Sequence, residues 1–495
     1  MLRFYNTLTG RKEEFIPLEK GRVRMYTCGP TVYDNPHLGN LRAFVFQDIL
    51  RRYLIYKGFR LKHVMNYTDV DDKTIRNALE AKVSLRDYTD RYIQAFETDC
   101  RLLNLETPEH RVRATDHIED MSKMIQGLLE KGHAYKAGGS IYFRISSFPN
   151  YGRLSGIDVG GMRAGTRVDV DEYDKENVRD FVLWKAGKQG EPCWYSPYGC
   201  GRPGWHIECS AMSMKYLGEH FDIHTGGTDL IFPHHENEIA QSEALTGKPF
   251  VKTWLHAEHL LLNGQKMSKS MGNLYTLRDI IKKGHKPAPV RYLLASVPYR
   301  KQLNFTFDAL HQATQSVERL RNFQLRLLTE RFPAGEDTDL TRRAQETRKQ
   351  FEEAMDDDLN TARALGAIFD LVREGNTGMD RSRFRQDNTK AFQETLDAWD
   401  RLFGILNDDP KRKQQEAELL AEISPAKTAS DQRAARAGMP ATGRRDAGMT
   451  DAEIDHQLKE RESARQARDF ARADRIRGAL SKAGIVIEDT KAGAR

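Results

Sequence analysis

His234 and Glu238 lie four residues apart in the run PHHENE. On a helix that spacing aims an imidazole and a carboxylate at one point. Both are zinc ligands, and two cysteine thiolates would complete a set of four. Pro233, just before the pair, suits a helix start. The chain has five cysteines among 495 residues, too few for a disulfide scaffold. In a reducing compartment they are buried thiols, metal ligands or catalytic groups. Cys193, Cys200, His206 and Cys209 form a competing, local, ribbon-like set. Spacing alone leaves both sets open.

Two further motifs suit phosphate. In His37-Leu38-Gly39-Asn40, Gly39 removes a side chain where a nucleotide would lie. His37 and Asn40 offer hydrogen bonds, and a helix N-terminus adds free N–H groups. In Lys266-Met267-Ser268-Lys269-Ser270, two lysines supply compact positive charge for a leaving pyrophosphate. The plainer readings are a surface cap and a solvated basic loop.

The elements needed to position these groups are legible. Val23–Thr27 and Leu61–Tyr67 read as strands, with a helix over Leu41–Tyr56 between them. Asp71 or Asp72, in TDVDD, caps the next helix. Short strand–helix–strand links imply a parallel, nucleotide-binding sheet, whose ligands sit at the carboxyl ends of its strands. Residues 115–225 break this rhythm with a helix near 115–132, then SIYFRI, FVLWK and many glycines, and read as an insertion. The pattern returns with FDIHTGG and a helix over His235–Leu245. The predicted class is α/β: a Rossmann-type parallel-sheet catalytic domain in two halves, 1–114 and 226–306, split by the insertion. An all-α bundle over 307–407 follows, then a linker over 408–448 without aromatic residues, and a small C-terminal module over 449–495.

Composition excludes other classes. Apolar residues make up 39% and charged residues 30%, enough for several cores, and more than one domain is expected. No run approaches the roughly 20 apolar residues of a membrane span. The start, MLRFYNTLTGRKEE, lacks a secretory pattern. A cytoplasmic protein without a membrane partner is expected. The formal charge of +6 permits a polyanionic partner without demanding one.

The order and separation of HLGN and KMSKS resemble the two signatures of class I aminoacyl-tRNA synthetases, with Asn40 where that family's first signature has a second histidine. YTCGPTVYDNPHLGN, NYTDVDDK, GRPGWHIECSAMS, FDIHTGGTDLIFPHHENEIAQSEA and KMSKSMGN together resemble the cysteinyl-tRNA synthetase family, strongly to about residue 310 and moderately beyond, through EEAMDDDLNTARAL. The resemblance implies that Cys28, Cys209, His234 and Glu238 hold one zinc ion. It implies that Thr68, Trp205 and His224 complete the substrate pocket, whereas their plain readings are a strand residue, a core aromatic and a satisfied polar group. It further implies that His37, Gly39, Asn40 and Lys269 bind ATP with magnesium, and that His37, Asn40, Lys266 and Lys269 serve catalysis.

The implied reaction joins L-cysteine to ATP as cysteinyl-adenylate, then to the terminal ribose of tRNA(Cys). A soft metal prefers thiolate to hydroxyl, which would separate cysteine from serine without editing. A monomeric chain is expected. Helices over 307–407 would hold the tRNA stem. In the terminal module Arg461, Arg465, Arg468, Arg472 and Arg475 would form a basic stripe on one continuous helix, unless Asp469 caps a new one. Residues 459–482 hold eight basic and four acidic residues, a balance that suits a phosphate backbone. Ile485–Thr490 matches the family's ending, but KAGAR lacks its tryptophan. Two rival readings remain. A ligase passing cysteine to an amino sugar lacks a long anticodon-binding extension, and a non-catalytic RNA-binding paralogue would have lost HLGN, KMSKS or the zinc ligands.

Overall fold

The computed structural model describes residues 1–157, 180–267, 274–406, 410–423 and 451–466, with 469, 472–473, 476, 479, 489–490 and 493–494 beyond them. The chain forms two compact units, Met1–Ser424 and Pro425–Arg495.

The first unit opens with an antiparallel hairpin, β1 (Arg3–Asn6) and β2 (Arg11–Glu14). The Rossmann-type half follows as β3 (Arg22–Thr27), α1 (Leu38–Tyr56), β4 (Arg60–Tyr67), α2 (Asp72–Glu80), α3 (Leu85–Leu102) and β5 (His110–Arg113). After α4 (Ile118–Glu130) come β6 (Ala134–Ala137), β7 (Ser140–Phe143), β8 (Phe181–Ala186), β9 (Trp194–Ser196) and β10 (Gly199–Pro203). These five make a separate antiparallel sheet, ordered β6-β7-β8-β10-β9. The chain returns through α5 (Trp205–Leu217) to β11 (Phe221–Gly227), α6 (Glu236–Thr246) and β12 (Val251–Ala257).

The central sheet is parallel and ordered β12-β11-β3-β4-β5. The chain winds from β3 toward β5, then resumes on the other side of β3 at β11. That reversal is a topological switch point, which opens a crevice at the strands' carboxyl ends. Thr27 ends β3 there with Cys28 directly after it, Thr225 to Gly227 end β11, and the Cys28 N–H donates to the Thr225 carbonyl at 3.3 Å. The parallel sheet resumes at Phe221, so a domain boundary at 225/226 cuts through β11. Period-two burial cannot mark that junction, because the strand is buried on both faces.

β13 (Leu260–Leu262), β14 (Gln265–Lys266), α7 (Leu277–Lys282), α8 (Pro287–Ala295) and β15 (Leu303–Phe305) lead into a four-helix region: α9 (Phe307–Thr329), α10 (Thr338–Asp356), α11 (Thr361–Asp380) and α12 (Asn388–Phe403). One apolar core runs from Val23, Leu41 and Ile223 at the sheet to Leu320, Phe351 and Trp399 in these helices. The buried Arg291 guanidinium ties the two regions by donating to the Asp48 carboxylate and the Leu103 and Leu402 carbonyls, so its charge is fully paired. A second core, on the other face, joins Tyr26, Cys28 and Val64 to Ile207, Met212 and Trp184.

The range read as linker, 408–448, begins instead with α13 (Pro410–Ile423), which packs against α3 and α7 and buries Leu419. Its polar composition resembles linker, yet it forms a docked helix; residues 424–450 lie outside the described residues.

In the second unit α14 (Asp451–Gln466) ends before the proposed arginine stripe is complete. The Asp469 carboxylate accepts from the Arg472 N–H at 3.0 Å and its carbonyl from the Ala473 N–H, so Asp469 caps a new turn. Arg461 is buried and Arg472 pairs with Glu460 at 2.9 Å. One continuous basic stripe is therefore not formed. Arg465, Arg468 and Arg475 lie outside the residues whose side chains are described, and of the Ile485–Thr490 match only Asp489 and Thr490 are described, as a strand paired with Gly493 and Ala494.

Candidate active site

The switch-point crevice gathers the metal-ligating types. Cys28 directly follows β3, Cys209 comes from α5, His234 from the turn entering α6 and Glu238 from the first turn of α6. One ligand atom from each lies within 4.8 Å of all the others, and all four residues are buried. Cys28 Sγ is 3.8 Å from Cys209 Sγ and 3.7 Å from Glu238 Oε1, and His234 Nε2 is 3.1 Å from the same carboxylate oxygen. Two soft thiols, an imidazole and a carboxylate at this separation match a tetrahedral zinc donor set.

Electrostatics divide the group. Burial would raise the Glu238 carboxyl, but the His224 and His234 imidazoles outweigh it and hold it at about 2. Burial would lower His234, yet the Cys209 thiolate and the Glu238 carboxylate push it up to about 10. Burial drives the Cys28 thiol well up, reinforced by Cys209. Burial acts the same way on Cys209, but the hydrogen bond from Cys28 and the charge of His234 bring it down to about 6. One thiol of the pair is thus poised to ionise first.

The rival set does not assemble. Cys193 and Cys200 are joined to each other as a disulfide with Cα atoms 5.6 Å apart, and Cys209 faces Cys28. Composition argued against a disulfide scaffold, but this hairpin brings the two Cα atoms within the separation that a disulfide spans.

The predicted pocket residues surround the four donors. The Trp205 indole stacks on the His234 ring, centroids 4.1 Å apart and planes 24° apart. Trp205 can start α5 there because its predecessor is Gly204, where a Cβ would meet the Val182 carbonyl oxygen at 2.2 Å. Thr68 ends β4, donates to Glu208 Oε2 at 3.0 Å and accepts from Asn66 Nδ2 at 3.2 Å. His224 is fully buried, with Nε2 2.9 Å from Glu238 Oε2 and its ring stacked on Trp254.

Several residues escaped the sequence reading. His235 puts Nε2 3.3 Å from Cys28 Sγ and Nδ1 2.8 Å from His256 Nε2, giving a second donor group of Cys28, His224, His235 and Glu238. His206, which the sequence offered only in the local rival set, puts Nδ1 3.0 Å from His234 Nδ1. Asn66 Oδ1 accepts from the Gly29 N–H at 2.9 Å. The doubled histidine of PHHENE was the available signal for His235. Nothing local marks Asn66, Glu208 or His256.

HLGN sits at the start of α1 as a capping box: Asn40 N–H donates to His37 Nδ1 and His37 N–H to Asn40 Oδ1, each at 3.2 Å. Asn40 thus closes the helix end as well as facing solvent. A Cβ at Gly39 would meet the His37 ring at 3.0 Å. The Leu38 N–H donates to the Tyr275 carbonyl at 2.8 Å, and His37 bridges Thr276. This first signature is therefore fastened to the chain just after the second. Lys266 closes the β13–β14 hairpin and is exposed. Ser268, Lys269, Ser270 and Met271–Asn273 lie outside the described residues.

A Rossmann-type sheet split by an insertion, with HLGN at its first crossover and Lys266-Met267, the start of the second signature, closing a hairpin beyond β12, defines a class I aminoacyl-tRNA synthetase. Solved structures share the fold: Mycobacterium tuberculosis methionyl-tRNA synthetase with methionyl-adenylate superposes with a TM-score of 0.56 at 16% identity, covering 85% of this chain and 99% of that one. A leucyl-tRNA synthetase–tRNA complex from Agrobacterium radiobacter gives 0.56 at 11%, covering 82% and 86%. Family models match in order: tRNA synthetases class I (C) catalytic domain over 14–315, DALR domain over 350–407, and cysteinyl-tRNA ligase anticodon binding domain over 448–494. The cysteine–tRNA ligases of Koribacter versatilis and Solibacter usitatus are each 52% identical to this chain over 100% of its length and 99% of theirs. That of Leptospira interrogans is 45% identical over 100% of this chain and 98% of its own. The chain belongs to the cysteine–tRNA ligase family.

Proposed function

We propose that this protein activates L-cysteine with ATP and passes it to the terminal ribose of tRNA(Cys), with a zinc ion held by Cys28, Cys209, His234 and Glu238. The carrying observation is the convergence of those four buried donors at the switch point, beside the HLGN helix start. Zinc bound there supplies a soft Lewis acid that favours a thiolate over a hydroxyl. The stacked Trp205 walls the site and fixes His234, while Thr68, held by Glu208 and Asn66, presents its hydroxyl at the end of β4.

In the first step a cysteine carboxylate oxygen attacks the α-phosphorus of ATP. The new O–P bond forms as the bond to the β-phosphate oxygen breaks, and pyrophosphate leaves. In the second the terminal ribose hydroxyl attacks the acyl carbon and AMP leaves. His37, Asn40, Gly39 and the α1 N-terminus receive the phosphates, and Lys266 and Lys269, with magnesium, neutralise the charge that develops. The hydrogen bond from the Leu38 N–H to the Tyr275 carbonyl ties the helix start to the chain at Tyr275. Helices α9–α12 take the tRNA stem and the C-terminal unit the anticodon. The protein works as a cytoplasmic monomer.

Cysteine-dependent pyrophosphate exchange, followed by transfer of labelled cysteine to tRNA, tests the reading. Exchange without transfer fits the amino-sugar ligase instead, and no exchange fits the non-catalytic paralogue. Lys269→Ala should abolish exchange, and Cys209→Ser should lose the metal in elemental analysis; retained activity or metal overturns the corresponding role.

A further inference from the structure

The cysteines fall into two populations. Cys28 and Cys209 are buried in the metal-ligating group and Cys100 is largely enclosed. Cys193 is exposed and Cys200 half-buried, and the two are bonded to each other on the β9–β10 hairpin of the insertion. Nothing in the proposed reaction uses them. β9 is three residues long, stands at the edge of its sheet and pairs with β10 alone. Trp194 and Tyr198 pack on the second core and the Tyr198 hydroxyl donates to the Ser122 carbonyl on α4 at 2.9 Å; the cross-link adds a covalent staple to this short edge.

β10 is a tight path toward the metal-ligating group. Its other edge is in register with β8, Gly201 against Ala186 and Pro203 against Trp184. Arg202 on β10 and Lys185 on β8 both pair with Asp72, the first residue of α2. Gly204 is pressed on the Val182 carbonyl, and the next residue, Trp205, stacks on His234. The backbone that carries Cys200 therefore reaches the pocket wall within five residues.

We propose that Cys193 and Cys200 are a reversible thiol–disulfide site that exchanges with the cysteine/cystine couple of the enzyme's own substrate pool. The proposal rests on the reading of cysteine as substrate, because that reading supplies the reductant and, in oxidised form, the oxidant. A Cys193 thiolate attacks a cystine sulfur, the cystine S–S bond breaks, and one cysteine leaves. The Cys200 thiolate then attacks the mixed disulfide, the protein S–S bond forms, and the second cysteine leaves. The two protein thiols lose two protons and two electrons, and the two released cysteines take them up. In excess cysteine the sequence reverses. The bonded hairpin holds β10 and Trp205 in the arrangement described; the opened hairpin frees the β9 edge and loosens the pocket wall.

The test uses the full-length, zinc-loaded protein. It is equilibrated with cysteine–cystine mixtures that step the ratio of squared cysteine to cystine, then acid-quenched and alkylated. The state of the Cys193/Cys200 peptide is read by mass spectrometry. Pyrophosphate exchange is measured with that ratio held constant as cysteine is varied. The peptide should titrate between bonded and reduced forms, with a several-fold higher KM for cysteine in the reduced form and an unchanged KM for ATP. The Cys193→Ser/Cys200→Ser variant should keep the reduced-form KM at every ratio. A peptide that stays in one state throughout, or titrates without changing that KM, overturns the proposal. Cysteine-dependent exchange missing at every ratio, whatever the peptide does, overturns the substrate reading and the proposal with it.

Discussion

The Trp205 indole covers the His234 imidazole at a centroid distance of 4.1 Å, so a side chain at the first position of α5 holds a member of the candidate zinc donor set from the turn before α6. Stacked aromatic pairs contribute roughly 0.5–1.5 kcal/mol beyond their buried area. Trp205→Ala should therefore raise the KM for cysteine by roughly two- to tenfold and weaken metal retention, while Trp205→Phe keeps most of both. Exchange kinetics and elemental analysis after mild chelation check this. Equal behaviour of the two variants would mean that the stack does not position His234.

The HLGN helix start gives a second prediction. Asn40 supplies half of a capping box with His37. Asn40→Ala leaves the His37 N–H without its acceptor and should cost about 1 kcal/mol of stability. It should also raise the KM for ATP, since the freed α1 N-terminus positions the phosphates less well. Urea titration and exchange kinetics measure the two effects, and a variant with wild-type values in both would remove Asn40 from either role.

Gly29 allows a sharper test. A Cβ there would lie 1.7 Å from the Asn66 carbonyl oxygen, a backbone atom that cannot rotate away. Asn66 also holds Thr68 and receives the Gly29 N–H. Gly29→Ala should separate β3 from β4 at their carboxyl ends and abolish cysteine-dependent exchange, while far-ultraviolet circular dichroism stays close to wild type. An active variant would show that the Gly29–Asn66–Thr68 chain does not shape the pocket.

How far the sequence could foresee these arrangements depends on the range of the contacts. The β3–α1–β4 rhythm was legible because two short apolar runs flank a longer segment with Phe44, Ile49, Leu50 and Tyr53 at helical spacing. The His234–Glu238 pair was legible because both residues belong to one turn. Cys28 and Cys209 are 181 residues apart and meet only because β3 and α5 pack together, so no local period selects them over Cys193 and Cys200; the family resemblance did. The arginine stripe misled for a local reason. Spacing of four and three suits a helix, but the helix stops at Gln466 and Asp469 starts another turn. The disulfide was invisible to composition because two cysteines on one hairpin count no differently from two free thiols.

Asp99 gives a pH-dependent prediction. It is fully buried on α3, neither carboxylate oxygen has a hydrogen-bond partner among the described residues, and Arg278 Nε, on α7 just beyond the KMSKS segment, stands 3.6 Å away as counter-charge. Burial raises its carboxyl from 3.8 to about 7, against the opposing pull of Arg278. Between those two values the folded state keeps a proton that the unfolded chain has lost. Stability from this group is therefore present at low pH, falls as pH rises from about 4 to about 7, and is level above that. Each tenfold loss of acidity on folding corresponds to about 1.4 kcal/mol, so the full change is on the order of a few kcal/mol. Asp99→Asn keeps the shape without the charge and removes this slope. The variant should match the wild type near pH 4, diverge from it up to about pH 7 and exceed it by a steady margin near pH 8. Melting temperatures of both proteins across that range measure the difference directly, free of the titrations they share. A gap that does not change with pH would mean that the Asp99 carboxyl ionises as readily in the folded protein as in the unfolded chain, and that Arg278 or water offsets its desolvation.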